Sequence, residues 1–260
     1  WEKFYYIYEA HETLLFAPNT TTRPKGVQVR DAVDMKRMMM TVIIAMLPCL
    51  LFGIWNAGHQ HYLATGQTPE LIGEIIAGAI LVVPIVVVSY SVGLGIEFTF
   101  ATIRRHDVNE GFLVTGMLIP LIVPATIPLW QVAVATAFAV IIGKEVFGGT
   151  GMNILNVALT ARAFLYFAYP SQISGEIWTY LGDKVPVDGY SGATSLGLAV
   201  EASNEGVAVV DKLAQTNNML GGDFYSFSNM FFGFIPESYT HPPLPMNTHK
   251  HISITIVTYT

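Results

Sequence analysis

The sequence predicts an all-α polytopic membrane protein, with about five transmembrane helices and an extracytoplasmic loop region. Three observations predict it. The 260 residues are 52% hydrophobic and only 12% charged, with mean hydropathy +0.47, whereas soluble domains carry about 25% charge. The charges lie outside long apolar runs, and those runs approach the roughly 20 residues that cross a ~30 Å hydrocarbon core. The net charge of −6 offers no basic surface for nucleic acid. The single cysteine, Cys49, sits in an apolar run, so there is no internal disulfide and no CxxC spacing for zinc or iron–sulfur. Any electron handling therefore falls to an organic cofactor.

Residues 1–37 read as a cytoplasmic N-terminal segment. They mix aromatics with charges, lack the apolar core of a signal peptide, and end in Arg30, Lys36 and Arg37. The first apolar run is 38–55. The following loop, 56–74, has no Lys or Arg and carries Glu70 and Glu74, so the positive-inside bias puts the N-terminus in the cytoplasm and this loop outside. The second run, 75–103, contains Pro84, Gly93 and Gly95, and the cluster Arg104-Arg105-His106 returns it to the cytoplasm.

Two shorter runs follow, 111–124 and 129–143, each about 21–23 Å long as helix. They are taken as a tight helical pair; half-helices meeting around a site are the alternative. Lys144-Glu145 marks the inside again, and 158–169 is a fifth, short segment containing Arg162. The bundle is thus 38–169, and 170–236 lies outside. Residues 237–260 form an atypical tail without helical periodicity, expected to be disordered. Its His241, His249 and His251 lack the cysteine or carboxylate that would complete a metal set, so no metal site is expected.

Few residues stand out chemically. Glu97 lies inside the second run, where a carboxylate is costly and ion or proton handling is the default reading; an interfacial residue near Arg104 is the bland one. Gly93 and Gly95 let a helix or ligand approach the backbone, and ordinary packing competes with that. Asn153 and Asn156 suit either the polar edge of a ring system or helix capping. The turn Gly148-Gly149-Thr150-Gly151 lacks the GK[ST] ending of a phosphate loop. In the segment Asp188-Gly189-Tyr190-Ser191-Gly192-Ala193-Thr194, Thr194 or Ser195 is placed to cap a helix from Leu196, and the small neighbours leave the Thr194 hydroxyl accessible.

Several stretches together resemble the B-type subunit of the sodium-translocating NADH:quinone reductase, a bacterial respiratory pump. They are Val29 to Arg37, Trp55-Asn56-Ala57-Gly58, Arg105 to Phe112, Leu121-Ile122-Val123-Pro124 and Pro128-Leu129-Trp130-Gln131. Further on come Gly143 to Gly151, Arg162-Ala163-Phe164-Leu165, Phe167-Ala168-Tyr169-Pro170 and Asp188 to Thr194. The last resembles the family's flavinylation motif.

The resemblance implies FMN bound to Thr194 through a phosphoester. Asp188, Gly189, Ser191, Gly192 and Ala193 would be the recognition motif for a flavin transferase, and Asn153 and Asn156 would lie near a non-covalent riboflavin. It places quinone near Gly93 and Gly95 and a sodium-uptake acid at Glu97. Two positions depart from the pattern: the family has adjacent glycines where Leu94 separates this pair, and proline where Val157 stands. The family continues with more membrane helices after 234–236, hence the truncated bundle.

The implied function is electron transfer from a partner's flavin through FMN and riboflavin to ubiquinone, driving sodium outward. The other pump subunits, the flavin transferase, ubiquinone and membrane lipid are the implied partners, and the bacterial inner membrane is the implied location. No acid–base catalyst is evident. The rivals are a D-type subunit of the related Rnf complex, a secondary transporter with Glu97 as coupling acid, and a non-functional remnant.

Overall fold

The computed structural model describes residues 35–65, 70–104, 111–173, 177–180, 194–220 and 225–234. Among them there are helices and turns and no strand. The tail 237–260, with its three histidines, lies outside the described residues. The helices are α1 (Met35–Thr65), α2 (Leu71–Arg104), α3 (Phe112–Ile122), α4 (Leu129–Gly143), α5 (Val157–Ala168), α6 (Ser195–Glu205), α7 (Val209–Leu220) and α8 (Phe227–Phe232). Among the described residues, three stretches are long and apolar enough to cross a membrane: Met38–Thr65, Leu71–Arg104 and Leu129–Phe147. With the shorter apolar α3 and α5 they make the five expected segments.

One expectation needs correction. Residues 56–65, assigned above to a polar loop, continue α1 as helix, and α2 begins at Leu71 rather than near 75. The reason is that the polar side chains of this stretch bond inside the protein, Gln60 through its amide nitrogen only, its Oε1 being without a partner among the described residues. Asn56 and Gln60 are buried, and His59 and Trp55 are bound to Glu74. Polarity there marks internal bonding instead of solvent.

The chain divides into two compact units: Trp1–Leu47, Val86–Ile119 and Leu129–Phe164 form one, and Pro48–Ile85, Pro120–Pro128 and Leu165–Thr260 the other. The division cuts four helices: α1 at Pro48, α2 after Ile85 next to Pro84, α3 at Pro120, and α5 between Phe164 and Leu165, where there is no proline. Proline removes one helical hydrogen bond, and a nearby side chain can replace it. Pro120 gives Gly116 no N–H partner four residues on, and the Ser89 hydroxyl donates to that carbonyl at 3.1 Å instead.

In the first unit, α3, α4 and α5 contribute a core of Phe112, Ile119, Val132, Val140 and Ala161, all fully buried. The Phe112 ring fills the space over Gly93, so tightly that a Cβ on Gly93 would overlap it. Tyr90 meets that ring edge-on at 6.4 Å and donates its hydroxyl to the Leu113 carbonyl at 2.7 Å.

In the second unit, α1 and α2 pack backbone to backbone. A Cβ on Gly58 would collide with the Glu74 carbonyl, and one on Gly78 with the Ile54 carbonyl. The same hairpin carries a polar latch. Trp55 Nε1–H donates to Glu74 Oε2 at 2.8 Å, and His59 Nδ1–H donates to Glu74 Oε1 at 2.7 Å. Phe234 stands edge-on to Trp55 at 5.8 Å. In the same unit α6 and α7 form a helical hairpin around Leu198, Ala202, Leu213 and Tyr225. Gly206 (φ +68°) closes α6 in the left-handed conformation glycine favours.

Candidate functional site

Thr194 stands at the N-cap of α6 with extended backbone, φ −72° and ψ 151°. Its Oγ1 accepts from the Gly197 N–H at 3.0 Å, as a capping threonine does. The bond lies at the surface. A Cβ on Gly197 would stand 3.2 Å from that oxygen, so glycine there leaves the hydroxyl uncrowded. Asp188, Gly189, Ser191, Gly192 and Ala193 lie outside the described residues.

Glu97 is buried on α2, and its carboxylate forms an ion pair with Lys144 Nζ, the first residue beyond α4. Glu97 Oε2 has no hydrogen-bond partner among the described residues. Next along the chain, Glu145 is held by Arg104, which donates to its side chain at 3.3 Å and to its carbonyl at 2.8 Å. Two acids and two bases thus meet where α2 and α4 end. Sequence reasoning found Glu97 and missed Lys144. The lysine sits in the run Gly143 to Gly151 that carried the family resemblance, but it is 47 positions from Glu97 in the chain, and no local pattern links them.

Gly93 and Gly95 are not brought together. Gly93 and Glu97, four apart, share the buried face of α2. Gly95 is exposed, with nothing within 4 Å of a would-be Cβ. Phe112 occupies the space at Gly93, as the packing reading requires. Asn153 and Asn156 make local bonds. Asn153 Oδ1 accepts from the Gly151 N–H at 3.3 Å and its amide donates to the Leu155 carbonyl at 3.0 Å, while Asn156 Oδ1 accepts from the Leu159 N–H at 3.2 Å. Asn156 thereby caps α5. No group of three or more His, Cys, Asp or Glu suited to a metal occurs among the described residues.

The sequence model of the NQR2, RnfD, RnfE family matches residues 22–242. The chain belongs to this family. Similar proteins, each named as the B-type subunit of a Na(+)-translocating NADH-quinone reductase, include that of Stutzerimonas stutzeri, 46% identical over 231 residues, covering 80% of this chain and 56% of that protein. The one from Chromohalobacter salexigens is 44% identical over 260 residues, covering 92% and 58%. That of Pseudomonas aeruginosa is 44% identical over 223 residues, covering 76% and 54%. The chain spans little more than half the length of these family members.

Proposed function

We propose that this chain is a membrane redox subunit of a sodium-translocating NADH:quinone reductase, carrying FMN on Thr194 and passing electrons towards riboflavin and ubiquinone. The observation that carries the reading is the Thr194 hydroxyl at the N-cap of α6, uncrowded beside Gly197, in a chain 44–46% identical to proteins named for that activity. The residues fit the group. Esterification at Thr194 Oγ1 sets a phosphoryl beside the first-turn N–H groups of α6, the positive end of the helix dipole. Asp188, Gly189, Ser191, Gly192 and Ala193 complete the recognition motif for the transferase. When bound, the flavin supplies the redox chemistry; Thr194 and the α6 N-terminus anchor and orient it.

Glu97 is the proposed sodium acid. Of the two glycines, Gly95 offers quinone an open backbone surface, whereas Gly93 is filled by Phe112. A riboflavin contact at Asn153 and Asn156 has to share or replace the turn bonds of Asn153 and the cap that Asn156 makes. The proposed setting is the bacterial inner membrane, with 1–37 cytoplasmic and 170–236 outside. The other pump subunits and the flavin transferase are the partners. The Rnf D-type reading shares the family and the threonine; it differs in the electron acceptor.

Co-expression with the flavin transferase, followed by intact mass and in-gel fluorescence, tests the reading. The expected result is an added mass of one FMN less water on the peptide containing Thr194, and none in Thr194→Val. Covalent flavin persisting in the variant overturns the assignment. An impermeant thiol reagent on Asp211→Cys, reactive only from outside, checks the orientation.

A further inference from the structure

We infer that the Lys144 ammonium is a tethered cation that occupies the Glu97 carboxylate and is displaced when Na+ binds there. This rests on the sodium reading of Glu97 above and adds a residue to it. The two side chains are in direct contact and only 6% and 4% exposed. With Glu145 and Arg104 (side chains 5% and 33% exposed, paired at 3.3 Å) the cluster is electrically neutral as it stands. A sodium ion added to it leaves one uncompensated buried positive charge, which is costly. A cation therefore enters by replacing one already present.

Lys144 is the one to yield. Arg104 is fixed at two points on Glu145, a side-chain bond and a main-chain bond. Lys144 has a single partner shown, Glu97, and its ammonium is a compact, strongly hydrated point charge on a flexible stem. It presents the carboxylate with the same unit charge as sodium. It also leaves Glu97 Oε2 without a partner in a buried position, an unmet demand that a coordinating ion meets. The Glu145 carboxylate, next along the chain, is a charged acceptor for the displaced ammonium.

Equilibrium binding of radiosodium to the full chain in lipid nanodiscs tests this. Lys144→Met and Lys144→Gln remove the internal competitor, so both are expected to bind Na+ about tenfold or more tightly than wild type, because occlusion of a site multiplies its apparent affinity by the fraction left free. Lys144→Arg keeps the charge and is expected to bind no more tightly than wild type. Glu97→Gln is expected to lose binding. Folded Lys144→Met or Lys144→Gln binding no tighter than wild type, while Glu97→Gln loses binding, overturns the displacement and leaves Glu97 as the sodium acid. Binding unchanged in Glu97→Gln overturns both readings. Nitrogen NMR of lysine-labelled wild type needs no folded variant at the pair: the Lys144 signal is expected to shift on adding sodium but not choline, and an unmoved signal overturns the proposal.

Discussion

Two glycines two residues apart on α2 are expected to respond differently to the same substitution. Gly93→Ala drives a methyl into the Phe112 ring and should cost about 1–3 kcal/mol by overpacking. Gly95→Ala meets nothing and should be neutral or gain up to about 1 kcal/mol of helix propensity. Thermal melts of the two variants in detergent, followed by circular dichroism, separate them. At Thr194, Ser should keep the α6 cap and Ala should lose about 1 kcal/mol, read by the same melts. That cap was legible because capping is local: a hydroxyl before an apolar periodic stretch. The cost of a carboxylate among apolar neighbours made Glu97 legible as well. Its pairing with Lys144 was not, since it depends on where two helices end. The capping role of Asn156 was read only as one of two alternatives, because a carboxamide serves backbone or ligand equally well.

Among the elements, the α1–α2 hairpin shows where polarity misleads. The stretch 56–65 reads as loop by composition, yet it is helical because its polar side chains bond inside the protein. Glu74→Ala strips acceptors from the Trp55 indole and the His59 imidazole together and should destabilise the hairpin by about 2 kcal/mol, whereas Glu74→Gln retains one acceptor and should lose less. Chemical denaturation in mixed micelles distinguishes the two. The α6–α7 hairpin behaves differently with pH. Lys212 donates to Glu205 at 2.8 Å and lies 3.6 Å from Glu201, and chiefly the Glu205 hydrogen bond raises its pKa above the ordinary lysine value. A raised folded value means the contribution is complete below the unfolded pKa and fades as pH rises through the folded one. Helicity of this hairpin should therefore be flat from about pH 6 to 9, with loss only above the usual lysine range near 10.4. A titration followed by circular dichroism, with Lys212→Met as control, checks it.

For the molecule as a whole, the five apolar segments were legible because length and hydropathy alone identify a helix that must satisfy its backbone in lipid. The division into two units was not, because it depends on what packs beside each helix. The face α1 shows to its surroundings includes Ile44 and Leu51, both about 60% exposed (60% and 64%), as a lipid-facing helix requires. Leu51→Arg, near the middle of the span, should raise the insertion free energy by about 2.5–3.5 kcal/mol, measurable by glycosylation mapping in microsomes. A surface substitution on α7, such as Val210→Arg, should leave insertion unchanged.

Helix α2 carries a buried carboxylate towards each end, Glu74 and Glu97, and positions 75–96 between them hold no charge. That uncharged stretch spans about 33 Å at 1.5 Å per residue, close to the ~30 Å depth of bilayer hydrocarbon. The helix is thus graduated like a dipstick. Sliding it by a single turn in either direction would carry one of the two acids, with the partners bound to it, towards the hydrocarbon, so the two acids bias its vertical setting in the membrane.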